Sequence, residues 1–292
     1  MTEKSAELTQ RLSAVVDKMP AFPKSVQRIL EISRDINFQP KELVMVIEKD
    51  PVMTMKLLRI INSAYYSFPK QITSVSQSVV YLGVNTVKNM ALSFAALGVL
   101  PRHNAGSFDI QRYLMHSLVT GSLARVLSQK FPAAQTDPND CYIAGLLHDF
   151  GKVVFAQFMP DEFQAALALS AAQGIPLHVA ERQMIGADHS VVGAMLVEKW
   201  QFPKALVEII RNHHSEIASE NTALCVLHVA DQISKKLLRE NAAGVAPEAS
   251  LVLAPALIDR FGGDLDFIIG RLGDLTKIME EAQSFKNASM EA

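Results

Sequence analysis

The sequence has little cysteine, and this scarcity excludes the class of small proteins that depend on disulfide bonds. Only Cys141 and Cys225 occur in 292 residues, and two distant cysteines do not make a disulfide framework. This pattern indicates a reducing compartment, so we expect a cytoplasmic protein. No set of thiolates is available for a metal, and any metal site must therefore use nitrogen and oxygen ligands.

Long apolar segments are also missing. The longest nearly apolar run, ALSFAALGVL at 91–100, is too short to span a bilayer as a helix. The first sixteen residues are charged and lack the apolar core of a signal peptide. The formal net charge of −2 gives no general attraction to nucleic acid or to an anionic membrane. We therefore predict no membrane and no nucleic-acid partner.

Helical periodicity is what the sequence does contain. Hydrophobic residues make up 49% and charged residues 20%, which is typical of a globular protein. In SVQRILEISRD the apolar residues recur at helical spacing, and almost every other segment follows the same pattern. No alternating strand pattern stands out, so the predicted fold class is all-α, a multi-helix bundle. Later helices are predicted at 161–173, 176–185, 189–200, 203–214 and 221–239.

Two segments rich in turn-forming residues divide the chain. PRHNAGS at 101–107 gives the best internal boundary, and ENAAGVAPEAS at 240–250 reads as a linker. The tail after it predicts two short helices broken by FGGD. The predicted parts are an N-terminal helical part (1–106), a helical core that holds the metal site (107–240) and a C-terminal helical extension (241–292).

The stretch AGLLHDFGKVV, residues 144–154, places two polar residues directly after an apolar helix. Asp137 and Pro138 predict the start of that helix, and Gly151 predicts a turn just past its end. Taken alone, His148 and Asp149 are a polar helix end, and the doublet by itself is a weak indication of metal ligands.

Further histidines and one aspartate occur where helices end or where an apolar face is interrupted. In a helical bundle such positions can converge on one site. Imidazole nitrogen and carboxylate oxygen suit one or two divalent transition metals, namely Fe, Mn, Ni, Co or Zn. Asp149 could bridge the two ions, as in two-metal hydrolases, and Lys152 could face a phosphate. The candidate ligands are His116, His148, Asp149, His189, His213, His214 and Asp231.

The ordered pattern HS…LLHDFGK…DHSVVG…HH…HVAD resembles the HD superfamily of metal-dependent phosphohydrolases. The resemblance implies that His116, His148, Asp149 and Asp231 form the core ligand set. The remaining positions resemble the HD-GYP branch, which degrades cyclic di-GMP. This second resemblance implies additional site roles at Lys152, His189, His213 and His214. However, the chain continues after His214 as SEIASENT, with no GYP segment.

The N-terminal half resembles a narrower relative, the HDOD module of bacterial signalling proteins. The motifs are MPAFPKSVQRILEI, followed by the pattern DP…LLRIINSAYY…LG, and the resemblance covers about residues 15–240. It implies a regulatory role with a protein partner in a signalling pathway. Many HDOD modules have lost the metal ligands, whereas every ligand position of this chain holds a competent residue.

Three functions follow as expectations. The leading one is a metal-dependent phosphohydrolase of signal transduction that acts on a phosphoester or nucleotide, with Asp149 and Lys152 as catalytic residues. The alternatives are a non-enzymatic regulatory module with a structural or vestigial metal site, and a cyclic dinucleotide phosphodiesterase. Among the remaining residues, His228 is predicted to be an ordinary partly buried histidine, His103 and His178 surface residues, and 234–240 a solvated helix face.

Overall fold

The computed structural model describes residues 3–32, 35, 37–101, 108–215, 220–240 and 253–290. Side chains are described throughout these ranges except at 3–5, 133, 240, 289 and 290. The described residues form seventeen α-helices and one short 3₁₀ helix, and they contain no β-strand. The predicted all-α fold class is therefore confirmed. None of these helices combines the length and hydropathy needed to cross a membrane.

The chain divides into two compact units. The larger unit comprises residues 1–20 and 101–273, and the smaller unit comprises residues 21–100 and 274–292. Each unit is therefore assembled from two separate stretches of the chain. The three-part division at 106 and 240 stays a prediction.

The larger unit contains the first helix and a long middle series of helices. Lys199 anchors the first helix, because its Nζ donates to the carbonyl oxygens of Val16 and Asp17, each at 3.0 Å. Such a cation satisfies carbonyls that a helix C-terminus leaves without intrahelical partners. The helices are α1 (Glu3–Asp17), α7 (Ile110–Lys130), α8 (Pro138–Leu147), α9 (Phe150–Phe158), α10 (Pro160–Gln173), α11 (Leu177–Met184), α12 (His189–Lys199), α13 (Lys204–Asn212), α14 (Thr222–Glu240), α15 (Pro255–Phe261) and α16 (Leu265–Leu272).

The smaller unit combines five early helices with the last one. Its core includes Phe94 and Phe285, whose ring centroids lie 5.4 Å apart. The helices are α2 (Lys24–Ile32), α3 (Pro40–Glu48), α4 (Pro51–Ile61), α5 (Val75–Leu82), α6 (Val84–Gly98) and α17 (Thr276–Met290).

Close packing of α7 on α8 sets the position of the predicted site. Gly121 and Gly145 lie at the contact, and a Cβ added to Gly145 would lie 2.7 Å from the backbone of Gly121. Only glycine permits the two helices to approach this closely. The approach fixes the spacing between the middle of α7, which carries His116, and the end of α8, which leads into His148.

Two sequence-based predictions about local structure are wrong, and one helix was not predicted. Residues 150–158, for which no separate helix was predicted, form α9. Gly151 lies inside the first turn of α9 and forms no turn of its own. The tail beyond residue 253 forms three helices rather than two, since α17 follows Gly273. Both PRHNAGS beyond Pro101 and the linker at 241–250 lie outside the described residues.

Candidate metal centre

The seven predicted ligand residues converge in the larger unit. We call them the His/Asp cluster: His116 from α7, His148 and Asp149 from the α8–α9 junction, His189 from the start of α12, His213 and His214 after α13, and Asp231 from α14. Ligand atoms of two overlapping subsets lie within 4.8 Å of one another. One subset is Asp149, His189, His213 and His214, and the other is His116, His148 and Asp149. Asp149 belongs to both.

Two histidines are held in one tautomer by peptide carbonyls. Nδ1 of His148 lies 2.8 Å from the carbonyl oxygen of Gly145, and Nδ1 of His213 lies 2.6 Å from that of Ile210. A carbonyl oxygen only accepts, so each Nδ1 carries the hydrogen. In the neutral rings, Nε2 then offers a lone pair toward the cluster. Burial lowers the pKa of His213 to about 4, which keeps that ring neutral at ordinary pH.

Glu181 of α11 holds His189 in the same way, although it was not among the predicted site residues. Its Oε2 accepts from Nδ1 of His189 at 2.5 Å and from the His189 backbone N–H at 2.9 Å. Both residues are almost fully buried. Burial alone would lower the pKa of His189, but the Glu181 and Asp149 carboxylates together outweigh burial and raise it. Because Nδ1 is bound to Glu181, the Nε2 atom of His189 faces the cluster.

Asp149 lies at the centre, and its two oxygens face different histidines. Oδ1 lies 3.0 Å from Nε2 of His189 and 3.7 Å from Nε2 of His213. Oδ2 lies 3.4 Å from Nε2 of His148 and 2.5 Å from Nζ of Lys152. Burial would raise the pKa of Asp149, but its contacts with His148, Lys152, His189 and His213 together outweigh burial and hold the pKa well below its usual range. The carboxylate is therefore ionised. It makes no cap hydrogen bond with α9, so both oxygens remain directed at the cluster.

Asp231 closes the side of the cluster near α7. Its Oδ1 lies 3.1 Å from Nε2 of His116, and its Oδ2 accepts from Nζ of Lys235 at 2.6 Å. Burial would raise the pKa of Asp231, yet Lys235 and His116 hold it well below its usual range. On the other side of His116, the Ser234 hydroxyl lies 3.1 Å from Nδ1.

His214 completes the opposite side, and His178 stacks on it. Nε2 of His214 lies 2.7 Å from Nε2 of His189. The His178 ring is nearly parallel to that of His214, with centroids 4.1 Å apart. Burial, followed by the charge of His189, lowers the pKa of His178 to about 4. The prediction that His178 is a surface residue is wrong, because its side chain is half-buried and lines the cavity described below.

The donor set fits a divalent cation. Nε2 of His148 lies 3.3 Å from Nε2 of His116, and Nε2 of His189 faces that of His214. In their neutral forms His148 and His189 direct lone pairs at these neighbours. Nε2 of His213 is buried and has no hydrogen-bond partner among the described residues. A buried polar atom without a partner is costly, and a cation that accepts these lone pairs would remove the cost.

A cavity of about 690 Å³ opens from the cluster. Four basic side chains line it beside apolar ones, so it offers both charged and apolar contacts. Lys235 departs from the predicted solvated helix face, because it lines this cavity and contacts Asp231. His228 also lines the cavity and is half-buried, as predicted. The basic and apolar lining residues used below are Arg112, Lys152, Lys235, Arg239, Phe108, Leu177 and Leu238.

The fold and the cluster define an all-α protein with a buried candidate metal centre built from histidine and aspartate. The HDOD domain family matches residues 19–216. This match covers more than half of the chain, and the chain therefore belongs to the HDOD family.

Three individual proteins illustrate what this chain is similar to in sequence or structure. An uncharacterized protein of Treponema pallidum (strain Nichols) is 29% identical over 217 residues, which are 73% of this chain, and this chain spans only 41% of that relative's length. A candidate phosphohydrolase from Shewanella amazonensis SB2B has a similar structure, with a TM-score of 0.73 and 22% sequence identity. The similarity covers 94% of this chain and 97% of the Shewanella chain. A candidate signal transduction protein from Marinobacter aquaeolei VT8 gives a TM-score of 0.78 at 22% identity, covering 98% of this chain and 66% of its own. The likeness to these two structures shows the shared fold.

Proposed function

We propose that this HDOD protein is a metal-dependent phosphohydrolase that acts on a phosphoester or nucleotide in signal transduction. The observation that carries the proposal is the convergence of histidine lone pairs and both Asp149 oxygens on one buried cluster that opens into a cavity. The descriptions of the Shewanella and Marinobacter proteins as candidates for phosphohydrolysis and signalling support the same class.

The cofactor that we propose is one or two ions of Fe, Mn, Ni, Co or Zn. His116, His148 and Asp231 would hold one ion, His189, His213 and His214 would hold a second, and Asp149 belongs to both candidate ligand sets. Bound there, divalent ions would polarise a water molecule and neutralise phosphoryl oxygens.

The chain's own cations would position the phosphoester. Lys152 lies 2.5 Å from Asp149 and lines the cavity, so its ammonium group would contact a phosphoryl oxygen as a point charge. Glu181 would keep His189 in the orientation that directs Nε2 inward. Asp149 and Lys152 would thus act next to the reacting phosphate.

The proposal is tested by measuring bound metal and hydrolysis together. Protein purified without chelator is assayed with phosphomonoesters, phosphodiesters, nucleotides and cyclic dinucleotides in the presence of Mn²⁺, Fe²⁺, Ni²⁺ or Co²⁺. We expect Asp149→Asn to lower turnover at least about 100-fold, because even partners of metal ligands cost 10–100-fold when removed. Asp17→Asn makes the same chemical change at an exposed carboxylate and should leave turnover unchanged. If the purified protein contains no metal and shows no turnover that Asp149→Asn abolishes, the proposal is rejected.

Exposed apolar side chains favour a second candidate, the regulatory module that binds a protein partner. Helices α3, α4 and α5 contact one another and expose several large apolar residues, namely Met45, Val52, Met55, Val80 and Tyr81. If this function holds, a strain that lacks the gene should regain its phenotype with Asp149→Asn but not with Val80→Glu. Recovery with Val80→Glu but not with Asp149→Asn would support hydrolysis.

A further inference from the structure

Helix α14 carries a row of charged residues that leads away from the cluster. Asp231, Lys235 and Arg239 are spaced four residues apart, so they share one face of the helix. All three line the same cavity. At a rise of about 1.5 Å per residue, Lys235 and Arg239 lie about 6 and 12 Å along the helix axis from Asp231.

Helix α7 also contributes a cation to this cavity. Arg112 precedes His116 by one helical turn, and both line the cavity. The pKa of Arg239 is lowered by burial and then by the positive charge of Arg112. Helices α7 and α14 pack against each other, and each contributes one arginine to the lining of the cavity.

The cations of the cavity lie at two distances from the cluster. Lys152 and Lys235 each contact a cluster carboxylate, at 2.5 and 2.6 Å, so these carboxylates compensate much of their charge. Arg112 and Arg239 lie further along the cavity, and Arg112 is exposed. An anion that binds in this part of the cavity would be attracted by both guanidinium groups. Guanidinium groups also bind phosphate through paired hydrogen bonds.

We propose that Arg112, Lys235 and Arg239 form a second anion subsite, which binds a second phosphate group of the ligand. The proposal rests on the proposed function, since the first phosphate is the phosphoester at the cluster. The distance along α14 favours two phosphates separated by an organic spacer over two adjacent phosphates. Phe108, Leu177 and Leu238 line the cavity and would contact that spacer, as apolar walls do in other ligand sites.

Matched non-hydrolysable probes test this subsite. Butane-1,4-diphosphonate and butylphosphonate share one spacer and differ by the second anionic group. Calorimetric titration of the Mn²⁺-loaded protein should show at least about tenfold tighter binding of the diphosphonate, because its second anionic group would form charge-assisted hydrogen bonds with the guanidinium groups. In the Arg112→Gln/Arg239→Gln variant this preference should fall to about twofold or less, with binding of butylphosphonate unchanged.

Two further variants complete the design. Lys236→Gln removes a neighbouring positive charge that pairs with Asp266 and lies outside the cavity lining, so the preference should persist. Arg112→Lys/Arg239→Lys keeps both positive charges, so this variant should retain most of the preference for the diphosphonate. Equal weakening of both probes in the glutamine variant, or no preference in the wild type, would overturn the subsite. If the protein prefers the diphosphonate through its arginines but shows no turnover, the subsite is supported and hydrolysis is rejected. If the protein shows turnover but no such preference, only the subsite is rejected.

Discussion

At the scale of the residue, Glu181 determines how one histidine is presented. Its carboxylate accepts from both the ring and the backbone of His189, and both side chains are buried. We expect Glu181→Gln to weaken metal binding about 10–100-fold, because the neutral amide makes His189 a poorer ligand. Titration with Co²⁺, followed by visible absorption, measures this affinity.

The control for this change is Glu48→Gln, which removes an exposed carboxylate at the end of α3. It should leave Co²⁺ affinity unaltered. Equal affinity in wild type and Glu181→Gln would show that Glu181 has no influence on the metal through His189.

The sequence pattern located the seven cluster residues but missed Glu181. A glutamate on a short amphipathic helix is usually solvated, and nothing in the sequence pairs it with a histidine eight residues later. The same limit applies to His178 and Lys235, whose roles depend on which helix faces meet. Ligand types can be inferred from order and spacing, whereas the groups that support them become visible only when α11, α12 and α14 are packed.

At the scale of the element, the contact between α9 and α12 depends on one missing side chain. A Cβ on Gly151 would lie 1.9 Å from the carbonyl oxygen of His189, so Gly151→Ala must push the first turn of α12 away from the α8–α9 junction. We expect a loss of about 1–3 kcal/mol of unfolding free energy, together with weaker metal binding. Chemical denaturation and Co²⁺ titration measure the two effects.

Gly270→Ala in α16 is the matched control, since a Cβ at that helical position meets nothing within 4 Å. It should raise stability by about 0.5–1 kcal/mol, the usual gain when alanine replaces a helical glycine. Wild-type stability and metal affinity in Gly151→Ala would contradict the crowding described for α9 and α12.

Helix existence was largely predictable, and helix boundaries at the site were not. The long helix α7 and the helices at 161–239 follow from apolar spacing and from flanking Pro and Asp residues. Helix α9 was missed because FGKVVFAQF is apolar on almost every side and shows no clear polar face. Gly151 was therefore interpreted as a turn residue, whereas in the structure it permits close packing of α9 on α12.

At the scale of the whole molecule, α17 completes a unit whose other helices lie far earlier in the chain. Phe285 is 2% exposed and contacts Phe94. We expect Phe285→Ala to destabilise the smaller unit by about 3–5 kcal/mol, the usual cost of emptying a buried phenylalanine site. Chemical denaturation monitored by circular dichroism measures the change.

Phe267→Ala removes a phenylalanine that is 45% exposed on α16, so its cost should be under about 1 kcal/mol. Equal effects of the two substitutions would argue that α17 contributes no core to the smaller unit.

The interleaved course of the chain also has a consequence for its synthesis. The ribosome makes α2 to α6 early, but α17 becomes available only after residues 276–290 have been added. The smaller unit therefore cannot reach its final packing until α17 has been made, whereas the larger unit, which includes α1, needs the chain only up to residue 273. Nascent chains usually fold one domain after another from the N-terminus. Here the smaller unit begins early but is completed after the larger one, so the apolar faces of α4 and α6 that receive α17 stay accessible to chaperones until residues 276–290 have been added.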